Sequence, residues 1–167
     1  MSEDLPKTIS TIRLRLEAVT YDEARAMLAG QRSPRFHPDY PRRDDLDACS
    51  MIPPGGTSWG PRHIVRAFDD LVVGSIGFFG PPDPHADGVA ETEIGYGLVP
   101  DARGHGAATE SVTGMLAEAD RLGVRVRASV EPSNKASVRV LAKCGFTGLR
   151  GSDEDGNLVM VRPLPPA

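Results

Sequence analysis

A glycine-punctuated loop that opens into a helix is the part of this sequence best suited to binding an anion. Its residues are Arg103, Gly104, His105, Gly106, Ala107 and Ala108. Glycine adopts positive φ angles and lets a ligand approach the backbone closely, and helix formers with a regular apolar stripe follow as far as Leu122. Because the first N–H groups of a helix have no intrahelical partner and carry partial positive charge, the loop predicts a pyrophosphate site. In such a site the backbone N–H of His105 matters more than its ring.

Two carboxylates lie just before this loop, on a strand predicted over residues 89–99. Glu91 and Glu93 share one face of that strand, because side chains alternate along a strand. A carboxylate beside a reacting group can take its proton as a general base. Two neighbouring carboxylates also raise the pKa of one of them, or bind a cation together. The alternative is that Glu93 is a solvated strand residue that faces away from any ligand, and the sequence leaves both interpretations open.

Hydrophobic periodicity and turn residues predict strands and helices around these two features. Helices are predicted over residues 20–29, 44–52, 107–122 and 134–143, the first opened by a capping box of Thr20 and Glu23. Strands are predicted over residues 12–17, 62–68, 71–79, 89–99, 124–130, 146–150 and 158–162, after a polar lead-in over residues 1–9. Gly95 and Gly97 predict a bulge that splays their strand from the strand over 124–130. The order of elements is that of a mixed-sheet α/β domain.

Length and composition fit a single soluble domain over residues 1–167. The net charge of −4 argues against a nucleic-acid partner. Cys49 and Cys144 provide neither a disulfide framework nor metal-ligand spacing, so we expect no metal and a reducing compartment. The first residues lack the apolar stretch of a signal peptide, and no run approaches the length of a membrane span. These features predict a cytoplasmic protein without a membrane partner.

A second stretch, VEPSNKASVRVLAKCGF over residues 130–146, resembles the second motif of the GNAT acetyltransferases. The first loop is similar to the acetyl-CoA motif of that family, which reads Arg or Gln, two residues, Gly, one residue, then Gly or Ala. The second motif is a strand that ends in Asn, followed by a helix that closes in Lys-x-Gly-Phe. Its version here is most like the branch that includes the ribosomal-protein N-terminal acetyltransferases. The residues that carry it are Asn134, Ser137, Val140, Lys143, Gly145 and Phe146. Two ordered motifs between about residues 90 and 150 are more specific than either alone.

The resemblance implies a fold and an activity. The fold is α/β (α+β), with a mixed, mostly antiparallel sheet of six to seven strands splayed at the cofactor cleft and flanked by about four helices. The activity is N-acetyl transfer from acetyl-CoA, as co-substrate, to a primary amine by direct transfer in a ternary complex. Leu98, Val99, the loop residues 103–108 and Asn134 are implied to bind the cofactor. Asn134 also fits the N-cap of the last helix.

The resemblance also implies two catalytic residues and one departure from the family pattern. Glu93 would act as the base, directly or through water, with Glu91 as the substitute. Many members of the family have a tyrosine that protonates the departing thiolate, whereas this chain has Leu141 at that position. Ser137 lies about one helical turn earlier on the same face and is implied to take the thiolate-facing role.

The identity of the acceptor is open at this stage. A small-molecule or peptide amine fits, and acceptor specificity would depend on the loops over residues 31–60 and 80–88. A homodimer is compatible with the sequence. Two other functions remain as alternatives. One is a GNAT-fold protein that holds acyl-CoA without turnover. The other is a Rossmann-type dinucleotide-binding enzyme, although Thr109 stands where that motif needs a third glycine.

Overall fold

A single twisted sheet organises the computed structural model, which describes residues 4–166. Within that range the nine strands are β1 (Thr8–Ser10), β2 (Leu14–Ala18), β3 (Pro61–Arg66), β4 (Leu71–Phe78), β5 (Asp83–Pro84), β6 (Ala90–Leu98), β7 (Arg125–Val130), β8 (Gly148–Ser152) and β9 (Leu158–Arg162). Their order across the sheet is β1-β2-β3-β4-β6-β7-β9-β8, and the two-residue β5 pairs with β6. All pairs are antiparallel except β6 with β7. This mostly antiparallel sheet excludes the Rossmann-type alternative, which requires a parallel sheet.

Four α-helices pack on this sheet in the described part of the chain, namely α1 (Tyr21–Leu28), α2 (Arg43–Ser50), α3 (Ala107–Leu122) and α4 (Lys135–Lys143). The predicted capping box opens α1, where Glu23 N donates to the Thr20 hydroxyl at 3.0 Å and Thr20 N donates to the Glu23 carboxylate at 3.1 Å. The predicted bounds of α3 are confirmed. Its apolar stripe is fully buried against the sheet through Val112, Met115 and Ala119.

The predicted number of strands needs a correction. The sheet has nine strands rather than six or seven, because two short edge strands add to the seven predicted from periodicity. One of them, β1, falls in the segment predicted as a polar lead-in, of which residues 1–3 lie outside the described residues. Its three residues pair with β2 from Thr8 to Ser10. They escape pattern analysis because three residues are too few to show a period.

The sheet opens between β6 and β7. These strands pair only from Glu91 to Glu93, opposite Arg125 to Arg127. Beyond that point β6 continues to Leu98 beside β4, and β7 continues to Val130 beside β9. The predicted splay is therefore present, and we call the opening between residues 94–98 and 128–130 the gap.

The predicted bulge at Gly95 and Gly97 is wrong, because β4 and β6 keep a continuous register from Ile94 to Leu98. These glycines serve close packing instead. A Cβ atom on Gly95 would lie 2.7 Å from the Phe79 ring, and one on Gly97 would collide with the guanidinium of Arg42.

Candidate active site

The loop between β6 and α3 has the geometry of an anion cradle. Gly104 and Gly106 adopt φ angles of 81° and 82°, in the left-handed region that favours glycine. Gly106 is the N-cap of α3, and no side chain caps the helix there. The first intrahelical bond runs from Glu110 N to Gly106 O at 3.0 Å, so the N–H groups before Glu110 are left for a ligand. Arg103, Gly104, His105 and Gly106 are exposed and Ala107 and Ala108 half-buried, which leaves the cradle open to solvent.

The two predicted backbone ligands on β6 differ in what they can offer. Val99 N donates to Val73 O at 2.8 Å, and Val99 O accepts from Ala102 N at 3.1 Å, so both of its polar groups already have partners. Val99 therefore has no free N–H to donate to a cofactor, whereas its carbonyl oxygen can accept a second hydrogen bond. Because successive N–H groups along a strand point in opposite directions, the Leu98 N–H is directed away from β4 and towards the gap. The Leu98 carbonyl accepts from the guanidinium of Arg103 at 3.1 Å, which ties the cradle to the strand.

Ser137 and Asn134 lie on the α4 side of the gap. Asn134 is the N-cap of α4, and its side-chain oxygen accepts from Ser137 N at 3.2 Å. Both residues line a cavity of about 280 Å³ in the gap, together with Glu93 and Leu141. The structure therefore brings the two predicted catalytic residues and one predicted cofactor ligand to the same cavity.

Tyr96 is a residue of this cavity that the sequence analysis missed. Its hydroxyl donates to the Ser137 hydroxyl at 3.3 Å. Burial raises the pKa of the Tyr96 phenol above its usual 10, although the hydrogen bond to Ser137 lowers it, so the phenol is protonated at neutral pH. A phenol thus enters the site from β6, whereas the helix position that carries tyrosine in many family members holds Leu141. The sequence feature that could have identified Tyr96 is its position between Gly95 and Gly97, on the strand that was predicted to splay.

Glu93 faces the opposite side of β6 from Tyr96. Tyr96 contacts α4, and its neighbour Gly97 lies against Arg42 at the start of α2, so α2 and α4 cover opposite faces of β6. By alternation Glu93 shares the face of Gly97. The Glu93 carboxylate is half-buried and lies 3.3 Å from the guanidinium of Arg127. It is therefore held by one partner and remains accessible from the cavity.

Glu91 has a different environment from the one predicted. Its side chain is 1% exposed and accepts from Arg125, Arg127 and Arg150 at 2.6–2.9 Å. Burial alone would raise the pKa of Glu91, but the three guanidinium groups outweigh burial and lower this pKa to about 2. The expectation that neighbouring carboxylates raise one pKa is wrong for Glu91. Glu91 is a structural ion-pair residue at the closed end of the gap.

Arg42 was also missed, and no sequence pattern marks it. Its guanidinium donates to Asp45 at 2.8 and 3.0 Å, and Asp45 also accepts from the Ser75 hydroxyl. The Asp45 side chain is fully buried. This network fixes Arg42 against the strand backbone at Gly97, beside the gap. It is the reason why no larger residue fits at position 97.

Residues 4–166 contain neither a metal-binding cluster nor a membrane-spanning helix. No group of three or more His, Cys, Asp or Glu side chains in this range is arranged to hold a metal ion. No helix among the same residues has the length and apolar composition needed to cross a membrane.

Known proteins share this architecture. The model of the acetyltransferase (GNAT) domain family matches residues 13–147. No curated protein matches the chain. Among solved structures, a GnaT-family acetyltransferase from Bordetella pertussis has 22% identity and a TM-score of 0.66, covering 95% of this chain and 100% of its own.

Two further structures are similar in fold and were solved with ligands. The microcin C7 self-immunity acetyltransferase MccE, in complex with acetyl-CoA and AMP, has 16% identity and a TM-score of 0.66 over 97% of this chain and 99% of its own. The ribosomal L7/L12 α-N-protein acetyltransferase RimL, in complex with coenzyme A, has 18% identity and a TM-score of 0.63 over 94% of this chain and 98% of its own. At these identities the likeness concerns the fold, while the family match covers most of the chain. The chain therefore belongs to the GNAT acetyltransferase family and is an acyltransferase.

Proposed function

We propose that this protein transfers an acetyl group from acetyl-CoA to a primary amine by direct attack within a ternary complex. The observation that carries the proposal is the gap between β6 and β7. A carboxylate, Glu93, enters it from one face of β6, and the Ser137 hydroxyl lines the same cavity from the other face. Acyl transfer from a thioester to an amine needs a proton acceptor on the amine side and a donor on the sulfur side.

The residues around the gap fit acetyl-CoA, which supplies an activated acetyl thioester. The uncapped N-terminus of α3 and its two left-handed glycines provide N–H donors for the pyrophosphate. Leu98 directs an N–H into the gap, where the extended arm of the cofactor would run. Asn134 lines the far wall of the cavity.

In the reaction, the amine nitrogen forms a bond to the acetyl carbon, and the carbon–sulfur bond breaks with its electron pair kept on sulfur. The Glu93 carboxylate takes the amine proton, directly or through one water. The Ser137 hydroxyl donates a hydrogen bond to the sulfur as it gains negative charge. Because Tyr96 donates to Ser137, the single hydrogen of Ser137 is free for that purpose, and the chain of two donors strengthens both bonds. The thiolate then takes a proton from solvent and leaves as the thiol.

The test measures acetyl-CoA binding by calorimetry and thiol release with a panel of amines. Gly106→Asp puts a carboxylate into the cradle and should abolish binding. At a hundredfold excess over the Kd of the wild-type protein, acetyl-CoA should stabilise it by about 2.7 kcal/mol, and the variant should lose this stabilisation.

Gly123→Asp is the matched control. Gly123 is the C-cap of the same helix, with a φ of 69°, and a Cβ atom there meets nothing within 4 Å. This control should bind acetyl-CoA like the wild type. Equal binding by both variants would refute the cradle. Binding without thiol release for any amine would favour the non-catalytic acyl-CoA-binding alternative.

A further inference from the structure

A second and larger cavity adjoins the gap on the α2 side. It measures about 930 Å³ and shares Phe79, Gly95 and Tyr96 with the cavity that holds Glu93 and Ser137. A molecule bound in it can therefore present one end to the reacting groups. Its walls come from α2, from the loop over residues 51–60 and from the end of β4, all within or next to the loops predicted to set acceptor specificity. The assignment of this cavity to the acceptor rests on the proposed function.

The charges along this cavity are unbalanced. Asp44, Asp45 and Asp47 line it, and Arg42 is its only basic side chain among the described residues. The Arg42 guanidinium is bound to Asp45 through two nitrogens and is therefore neutralised. Asp44 and Asp47 are exposed and form no ion pair within residues 4–166. The cavity attracts a cation and offers no free cationic group to an acceptor that carries a carboxylate.

The cavity walls are apolar next to this acidic rim. Met51 and Phe79 are 76% and 62% exposed, which is unusual for large apolar side chains that line a concave surface. Trp59 and Phe78 also line the cavity; their ring centroids are 5.3 Å apart and both side chains are buried. A ligand with an apolar group would remove the exposed side chains from water and gain the corresponding hydrophobic free energy.

We propose that the acceptor is a primary amine attached to an apolar group, with no carboxylate beside the amine. The ammonium form is drawn to Asp44 and Asp47, the apolar group lies against Met51 and Phe79, and the amine reaches Glu93 through the shared wall. Two kinds of molecule have this chemistry. One is a free arylalkylamine, and the other is the N-terminus of a polypeptide with an apolar first residue, in which the neighbouring carboxyl group is an amide.

The experiment compares kcat/KM in acetyl-CoA thiol release for five acceptors that differ by one feature at a time. Phenylalaninamide should exceed phenylalanine by at least tenfold, because a carboxylate beside the two aspartates is repelled. The kcat/KM for phenylalaninamide should also exceed that for alaninamide by about tenfold or more, because the aromatic ring covers apolar surface of the cavity. Phenethylamine and phenylalanyl-glycinamide then distinguish the sources. A higher kcat/KM for phenylalanyl-glycinamide than for phenethylamine indicates that the acceptor is a polypeptide N-terminus. A higher kcat/KM for phenethylamine indicates that it is a free amine.

Variants link the preference to the cavity. The double variant Asp44→Asn/Asp47→Asn should reduce the preference for phenylalaninamide over phenylalanine to less than threefold, while Met51→Ser should reduce the preference over alaninamide. Asp155→Asn is the matched control, since it removes one exposed carboxylate on the turn between β8 and β9 and should change neither ratio. All these positions are exposed, so the variants should fold.

Two results would overturn the inference while the proposed function stands: phenylalanine used as well as its amide, or alaninamide used as well as phenylalaninamide. If acetyl-CoA binds but no amine is acetylated, the proposed function fails and calorimetry decides the inference. Phenylalaninamide titrated into the CoA-saturated protein should then still bind, and the double aspartate variant should weaken binding about tenfold. Absence of binding would overturn the inference as well.

Discussion

The two ends of the β6–β7 pair place the same residue type in opposite situations. At the closed end, Glu91 lies between paired strands and is surrounded by three guanidinium groups. At the point where pairing stops, Glu93 has one guanidinium partner at 3.3 Å and faces a cavity. The two residues are only two positions apart and share a face of the strand. The end of strand pairing, and not the side chain, therefore decides which carboxylate is structural and which is available to a substrate.

The difference also shows how the gap is kept open. The arginines on β7 and β8 attach these strands to β6 through one buried carboxylate, two residues before the end of the β6–β7 pairing. Ion pairs at the closed end fix the geometry of the open end. We therefore expect substitutions at the closed end to change stability, and substitutions at the open end to change turnover.

The largest effect on turnover is expected for Glu93→Gln. The nearly isosteric amide keeps the fold but cannot accept a proton, so kcat/KM should fall by about 10²- to 10⁴-fold, the usual range for a positioned base. The melting temperature and acetyl-CoA affinity should stay close to the wild-type values. An unchanged rate would mean that the amine arrives neutral and needs no protein base.

The largest effect on stability is expected for Glu91→Gln. Loss of the negative charge leaves Arg150 without an ion-pair partner among residues 4–166. The free energy of unfolding should fall by about 3 kcal/mol, near the lower end of the range for breaking a buried pair, because the arginines are partly exposed. Chemical denaturation measures this loss. Glu154→Gln, an exposed glutamate on the turn after β8, is the control and should be neutral. A Glu91→Gln variant with full stability but crippled turnover would reverse the roles of the two carboxylates.

The same contrast should appear in acid unfolding. The pKa of Glu91 is lowered from 4.5 to about 2 in the folded protein, against the opposing effect of burial, by its three arginine partners. A depressed pKa contributes stability that is present above the ordinary pKa and is lost as the pH falls through the folded-state value. Wild-type stability should therefore decline between about pH 4.5 and pH 2. Denaturation midpoints measured across this range should show a smaller decline for Glu91→Gln, and equal slopes would contradict the assignment.

A smaller loss of turnover is expected on the α4 side of the gap. Ser137→Ala should lower kcat by about ten- to a thousandfold at nearly constant acetyl-CoA affinity, because its bond to sulfur strengthens as charge develops. Tyr96→Phe should lower kcat less, by about tenfold, because it removes a donor that orients Ser137 and does not touch sulfur. In the double variant, Tyr96→Phe should add nothing to Ser137→Ala. Additive losses in this cycle would mean that Tyr96 acts independently of Ser137.

Features that depend on residues close together in the chain could be predicted from the amino-acid pattern. The capping box at Thr20, the extent of α3 and the cradle glycines follow from hydrogen bonds and φ angles within one or two turns of chain. Seven strands were also recognisable, because each is long enough to show a period of two. The strand β1 was missed because its three residues are too few to show this period.

Tertiary structure alone decided how the candidate site is arranged. Glu91 meets Arg125 and Arg150 across 34 and 59 residues, and Tyr96 meets Ser137 across 41. Such pairs depend on the register between strands and on where pairing stops, which no local pattern encodes. The position of Arg42 against Gly97 and the acidic, apolar-walled cavity beside it arise in the same way, from elements that pack together only in the folded sheet.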